Sequence, residues 1–95
     1  GMNRPPRIGA HVALSDLPGW NAVEGRDAVG RSFRFETFIA AFEWMTRVAR
    51  SAEAMDHHPE WSNVYGTVVI DLTTHSAGGI TENDLELSHA LDALV

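Results

Sequence analysis

Between Thr37 and Met55 the apolar residues Phe38, Ala41, Phe42, Met45, Val48, Ala49, Ala52 and Met55 recur at spacings of three and four. That period predicts a helix over 37–55 with a wide apolar stripe made for packing on a sheet. Thr37 is suited to cap its start. Glu43 lies four residues before Arg47, the favourable direction for a surface pair. Pro59 stops the helix and pushes His58 toward extended geometry, so the helix should end near Asp56-His57-His58.

Elsewhere the period is two. Val29, Arg31, Phe33 and Phe35 alternate with Gly30, Ser32 and Arg34, which predicts a strand over about 28–35. Trp20–Val23 is a second short strand, and the Glu24–Asp27 turn joins the two as a hairpin. Val64, Gly66, Val68, Ile70 and Leu72 should face the core, with Gly66 breaking the run into a third and a fourth strand. Gly78-Gly79 reads as a loop. Thr81-Glu82-Asn83-Asp84 then resembles a capping box opening a last helix, with a stripe of Leu87, Leu91 and Leu94 supported by Leu85 and Ala90. Ile8–Leu17 forms a short first helix, ended by Pro18-Gly19. Residues 1–7 are an irregular lead-in, and Gly1 before Met2 reads as a tag-removal scar. The order α-β-β-α-β-β-α predicts an α+β fold: a four-stranded antiparallel sheet with about three helices on one face.

At 95 residues, the chain fits a single domain over 1–95 with one modest core. Burial between subunits would add to that core. With 7 Lys plus Arg against 13 Asp plus Glu, the formal charge is −6. No basic block is present to track a phosphate backbone, which argues against direct nucleic-acid binding. The absence of Cys removes disulfides, thiolate nucleophiles and Cys-rich zinc sites. No apolar run reaches the roughly 20 residues that span a bilayer. A soluble, cytoplasmic protein without membrane attachment is expected.

Candidate chemistry lies in the histidines. His57 and His58 sit where a helix is forced to stop, and His75 ends the last strand before a double Gly. An imidazole gives or takes a proton near neutrality, and a positioned acid or base contributes about 10²–10⁴ in rate. The competing structural reading is that His at a helix C-terminus simply complements the dipole. His11 and His89 lack such context and read as surface or core-edge residues. A three-His metal site is disfavoured, because adjacent helical residues point about 100° apart and no His-x-x-x-His pair occurs. Glu53 lies four residues before His57, placed either to orient that imidazole or to stay in solvent. Asp56 either supports the pair or begins the turn, and Asp84 is explained by capping. Trp20 and Trp61 offer flat surfaces for a planar ring, although burial is the default for Trp.

Specific blocks add to this reading: Ala52-Glu53, Asp56-His57-His58-Pro59-Glu60-Trp61, Asn63-Val64-Tyr65, Thr74-His75, Gly79-Ile80-Thr81 and Asp84. With Gly19-Trp20-Asn21 and Glu24-Gly25-Arg26-Asp27-Ala28 upstream, the chain resembles the pterin-4a-carbinolamine dehydratases over about residues 17–94. One departure is Gly66, where the family usually has Asn. The resemblance implies dehydration of 4a-hydroxytetrahydrobiopterin to quinonoid dihydropterin, recycling the cofactor of aromatic amino-acid hydroxylases. It also implies no cofactor, no metal, a pterin substrate, and a homodimer or homotetramer. By the same resemblance His57 and His75 serve as acid/base groups and His58 binds the ring. Glu53, Asp56, Pro59, Thr74 and Asp84 support them, and Trp20 and Trp61 help to line the pocket. Two alternatives stand beside it: a non-catalytic dimerisation or binding protein on the same fold, and a pterin enzyme with another substrate, such as one on the molybdopterin pathway.

Overall fold

The structure, a computed structural model, describes residues 5–95. Gly1 and the start of the expected lead-in lie outside the described residues. The elements are α1 (Ala10–Ala13), continued by a 3-10 turn at Leu14–Asp16, then β1 (Asn21–Ala22), β2 (Val29–Arg34), α2 (Phe38–Met55), β3 (Glu60–Val64), β4 (Thr67–Leu72), a second 3-10 turn (His75–Ala77) and α3 (Glu82–Ala93). The four strands form one antiparallel sheet in the order β1-β2-β4-β3. No described helix is long and apolar enough to cross a membrane.

The helix–sheet core is centred on Trp44, which is fully buried with Ala41, Val48 and Ala52 on the sheet-facing line of α2. Its indole lies 4.5 Å from the Phe33 ring and 5.3 Å from that of Phe35, centroid to centroid. Val29, Phe33, Val68, Ile70 and Leu72 cover the same face from the sheet, and Leu87 and Leu91 close it from α3. This corrects the expected stripe of α2. Phe38 and Phe42 are 44% and 53% exposed, while Trp44 takes the centre. Successive helical residues are about 100° apart, so Phe42 is turned to the flank of the line through Ala41, Trp44 and Val48. The Trp44 indole N–H has no partner among the described residues, and packing carries that polar group.

The phase of β3 also differs from expectation. A tight turn at Tyr65-Gly66 pairs Val64 with Thr67, Asn63 with Val68 and Trp61 with Ile70. Directly paired residues share a sheet face, so the even positions of β4 align with the odd positions of β3. Val68, Ile70 and Leu72 are therefore buried, and Val64 is 77% exposed on the open face. Gly66 is required here: a Cβ would collide with the carbonyl oxygen of Phe35, whose N–H bonds to the Gly66 carbonyl.

Three local devices aim the chain toward the site. Thr37 caps α2 through its side chain, and Asp56 ends it in the left-handed region at φ 51°. The expected capping box of α3 is present, with Thr81 at the cap and Asp84 reaching back to the Thr81 N–H. Asp27 ties the segment that leads into α1 to the segment just before α3. Its carboxylate accepts from the Ala10 amide at 2.6 Å, Arg7 Nε at 2.8 Å and the Ile80 amide at 3.2 Å. Burial raises the Asp27 pKa, but the Ala10 amide, the Arg7 guanidinium and the Ile80 amide outweigh it, leaving it below the usual value.

Candidate active site

His57 follows the left-handed Asp56, with its N–H held by the Ala52 carbonyl at 3.0 Å. That turn sends its imidazole inward, where 9% of the residue is exposed. His57 Nε2 lies 2.6 Å from Oδ1 of Asp84, which is fully buried. The second oxygen of Asp84 accepts from the Thr81 amide at 2.9 Å and from the Thr74 hydroxyl at 2.7 Å. With the Thr74 proton spent on Asp84, the Thr81 hydroxyl donates to Thr74 Oγ1, 2.7 Å away. A carboxylate accepts and does not donate, so this network makes Nε2 of His57 the protonated nitrogen.

His58 points the other way, into a cleft of about 440 Å³ between the second half of α2 and Trp61 of β3. Its Nε2 meets Glu53 Oε1 at 2.8 Å, with both side chains largely in solvent. Pro59, Ala49 and Ala52 supply apolar walls to the cleft, and Arg50 a charge. Trp61 is 37% exposed there, a flat surface beside an imidazole.

His75 opens the 3-10 turn after β4. Its backbone is fixed because Thr74 and Gly79 bond reciprocally across the loop and Gly78 adopts φ 74°. Its side chain is 77% exposed and meets Glu60 Oε2 at 2.9 Å. Glu60 is also clasped by Arg26 from the β1–β2 turn, at 2.7 and 2.8 Å. The hydrogen bonds from Arg26 are the main reason that the Glu60 carboxyl sits at about 2; burial opposes them, and the charge of Arg26 and then His75 add to the effect.

The expected site residues thus separate into three groups, and of the three imidazoles only His58 lines the cleft. His57, Asp84 and Thr74 form a buried network, His58, Glu53, Pro59 and Trp61 line the cleft, and His75 stands on Glu60, two residues beyond His58. Two assignments are corrected. Glu53 partners His58, not His57, because the left-handed Asp56 takes His57 off the helical path that an i, i+4 pair needs. Trp20 lies in the core: it is 5% exposed, packs edge-on against Phe33, and donates from Nε1 to Asp92. Asp56 supplies the turn conformation. Asp84 does more than cap, since the same carboxylate holds His57. The sequence reading missed Glu60 and Arg26 as a pair, although both stand inside its quoted blocks.

Fold and site define a class: a small α+β sheet protein offering three imidazoles, each paired with its own carboxylate. The family model described as pterin 4 alpha carbinolamine dehydratase matches residues 7–94. A relative from Rhodopseudomonas palustris (strain BisB18), provisionally named pterin-4-alpha-carbinolamine dehydratase, is 56% identical over 84 residues, covering 88% of this chain and 83% of its own. A Nitrobacter winogradskyi protein with the same provisional name is 54% identical, at 88% and 83% coverage. A solved structure from Brucella melitensis, described as a transcriptional coactivator/pterin dehydratase, superimposes with TM-score 0.87 at 43% identity over 93% of this chain and 97% of that one. A pterin dehydratase-like protein identified as a RuBisCO assembly factor shares the fold, with TM-score 0.68 at 19% identity over 80% and 88%. The chain belongs to the pterin-4a-carbinolamine dehydratase family.

Proposed function

We propose that this protein dehydrates a 4a-hydroxytetrahydropterin to the quinonoid dihydropterin by histidine acid/base catalysis. The C4a–O bond breaks as a proton is delivered to the leaving hydroxyl, which departs as water. The N5–H bond breaks, and its electron pair forms the C4a=N5 double bond. One group must give a proton and another must take one, so the net proton count is unchanged. His57 and His75 fill those roles in this reading. His58, with Glu53 and Trp61, binds and orients the bicyclic ring. Neither a metal nor a cofactor is required. Recycling of the pterin used by aromatic amino-acid hydroxylases is the setting that the family suggests.

The observation that carries the reading is the His57–Asp84 pair. A buried carboxylate with two further protein donors fixes the tautomer and the orientation of the imidazole, which a structural histidine in solvent does not need. That investment argues against a purely scaffolding protein on this fold. The functional protein is a homodimer or homotetramer in the same reading, supported by the exposed Phe38, Ile39 and Phe42 along α2.

The test is turnover of a synthetic 4a-hydroxytetrahydropterin. Acceleration over buffer is expected, with His58→Ala slower and weaker-binding than wild type and His89→Ala close to it. Equal effects of the two substitutions, or no acceleration by the wild type, would reject the reading. Turnover of a different pterin alone would move the assignment to another substrate.

A further inference from the structure

Arg50 is the cation of the cleft. Arg7, Arg26 and Arg31 each hold a carboxylate, those of Asp27, Glu60 and Asp92. Arg50 joins no ion pair among the described residues. Glu53 lies three residues on, at the spacing where helical neighbours meet, yet it turns to His58 at 2.8 Å. Arg47, three residues earlier and also exposed, adds a second positive charge to this stretch of α2. Along the helix Thr46, Arg50 and Glu53 line the cleft about one turn apart. Beyond Thr46 the cleft runs on into a smaller hollow of about 140 Å³, which shares Thr46, Ala49 and Trp61 with it. A ring held by His58 and Trp61 has the remaining length of the cleft, past Arg50 to Thr46, for its substituent. The cleft volume of about 440 Å³ is in the range that takes a substituted ligand.

We propose that Arg50 is a specificity-determining residue that selects pterins whose C6 substituent ends in an anion, a phosphate or a carboxylate, over pterins with a neutral substituent. This rests on the dehydratase reading given above for the seat of the ring. A guanidinium presents a planar fork of donors that matches either anion. The chain as a whole carries a formal charge of −6 and repels anions, so a preference for them has to come from a local cation. Glu53, the acidic group of the cleft, is engaged by His58 at the ring end. Arg50 stands one turn away from it, on the side where the substituent runs. It falls outside the sequence blocks by which the chain resembles the dehydratases, so the resemblance gives it no role.

The test is calorimetric binding of three probes with the same ring: 6-hydroxymethylpterin, its phosphate monoester and 6-carboxypterin. Wild type should bind at least one anionic probe about 10-fold more tightly than the neutral one, the gain of one charge-assisted contact. That preference should shrink at high salt. Arg50→Gln should bring the ratio to about 1, and Arg50→Lys, which keeps the charge and loses the fork, should lie between. Arg47→Gln, outside the cleft, should keep the wild-type ratio. A gain for the phosphate alone or the carboxylate alone supports the proposal and names the group. Equal binding of all three probes by the wild type, or binding of none, would overturn it. So would an unchanged ratio in Arg50→Gln, or an equal loss in Arg47→Gln, which would point to diffuse charge instead of a contact. The two readings fail separately. Turnover of a neutral hydroxypterin with no preference for anions sinks this proposal and leaves the dehydratase reading standing. An Arg50-dependent preference without any turnover does the reverse.

Discussion

Asp84→Asn separates the chemistry of the buried network from its structural duty. The carboxylate offers acceptors in two directions: Oδ1 to His57 and Oδ2 to the Thr74 hydroxyl and the Thr81 amide. Asparagine has one oxygen and one N–H₂. The lower-cost arrangement keeps the oxygen on the two fixed donors and turns the amide N–H₂ toward His57. His57 must then accept at Nε2, which moves its hydrogen to Nδ1. Replacing charge-assisted bonds by neutral ones at a fully buried site costs about 2–3 kcal/mol. For a domain of this size that corresponds to a Tm drop of about 10–20 °C. On the proposed dehydratase reading the rate should fall about 10²–10⁴-fold, the range that a positioned acid/base supplies, because the hydrogen of His57 would sit on the wrong nitrogen. Thr74→Val is the matched control: it removes one donor to Asp84 and leaves the His57 contact. It should lose about 1–2 kcal/mol and retain turnover within about 10-fold. Denaturation curves and hydroxypterin turnover on both variants settle the matter. If Asp84→Asn loses stability but keeps its rate within about twofold, His57–Asp84 is only a capping device and the catalytic argument fails.

The other expectations can be tested on the same preparations. Asp27 and Glu60 both have folded-state pKa values below their ordinary ones, so each contributes stability that is full above its ordinary pKa of 3.8 or 4.5. That contribution should be lost as pH falls below about 4.5, down to about 2 for Glu60; urea midpoints from pH 7 to 2 should show the decline, and Asp27→Asn should flatten part of it. A decline that Asp27→Asn leaves untouched would remove Asp27 from the account. Gly66→Ala should cost about 1–3 kcal/mol, since the new methyl meets the backbone oxygen of Phe35 and no side chain can yield. A neutral result by chemical denaturation would mean that the β3–β4 turn rearranges freely. Phe42→Glu should leave the isolated fold within about 0.5 kcal/mol and shift the light-scattering mass toward the monomer. An unchanged mass would reject the subunit contact proposed for this face.

Periodicity was a sound guide to which elements form, and a weaker one to what each faces. The spacing of α2 is unmistakable, yet Trp44 escaped the stripe and Phe38 and Phe42 entered it, because a band of apolar residues wider than one face does not say which edge meets the sheet. The same holds for β3, where a two-residue turn reverses the parity that an unbroken run from Val64 to Leu72 suggests. The site shows this more sharply. His57 and His58 were legible from their place at a helix stop and His75 from its place before a double Gly, although it opens a 3-10 turn and does not end β4; which carboxylate each would meet was not legible. Glu53 was matched to the wrong imidazole because one left-handed residue, Asp56, undoes the helical i, i+4 rule. From its spacing Asp84 read only as a cap, and it was the family resemblance that set it, with Thr74, among the residues supporting the histidines. Glu60 stood in plain view next to Pro59, but its partner Arg26 lies 34 residues away and meets it only after β2 and β4 have been laid between them. Each imidazole therefore takes its position from local turns, and His57 and His58 each take a carboxylate as hydrogen-bond partner from the turn between them and α2. If the dehydratase reading holds, substitutions that spare the histidines and shift a turn should lower turnover more than their effect on stability suggests.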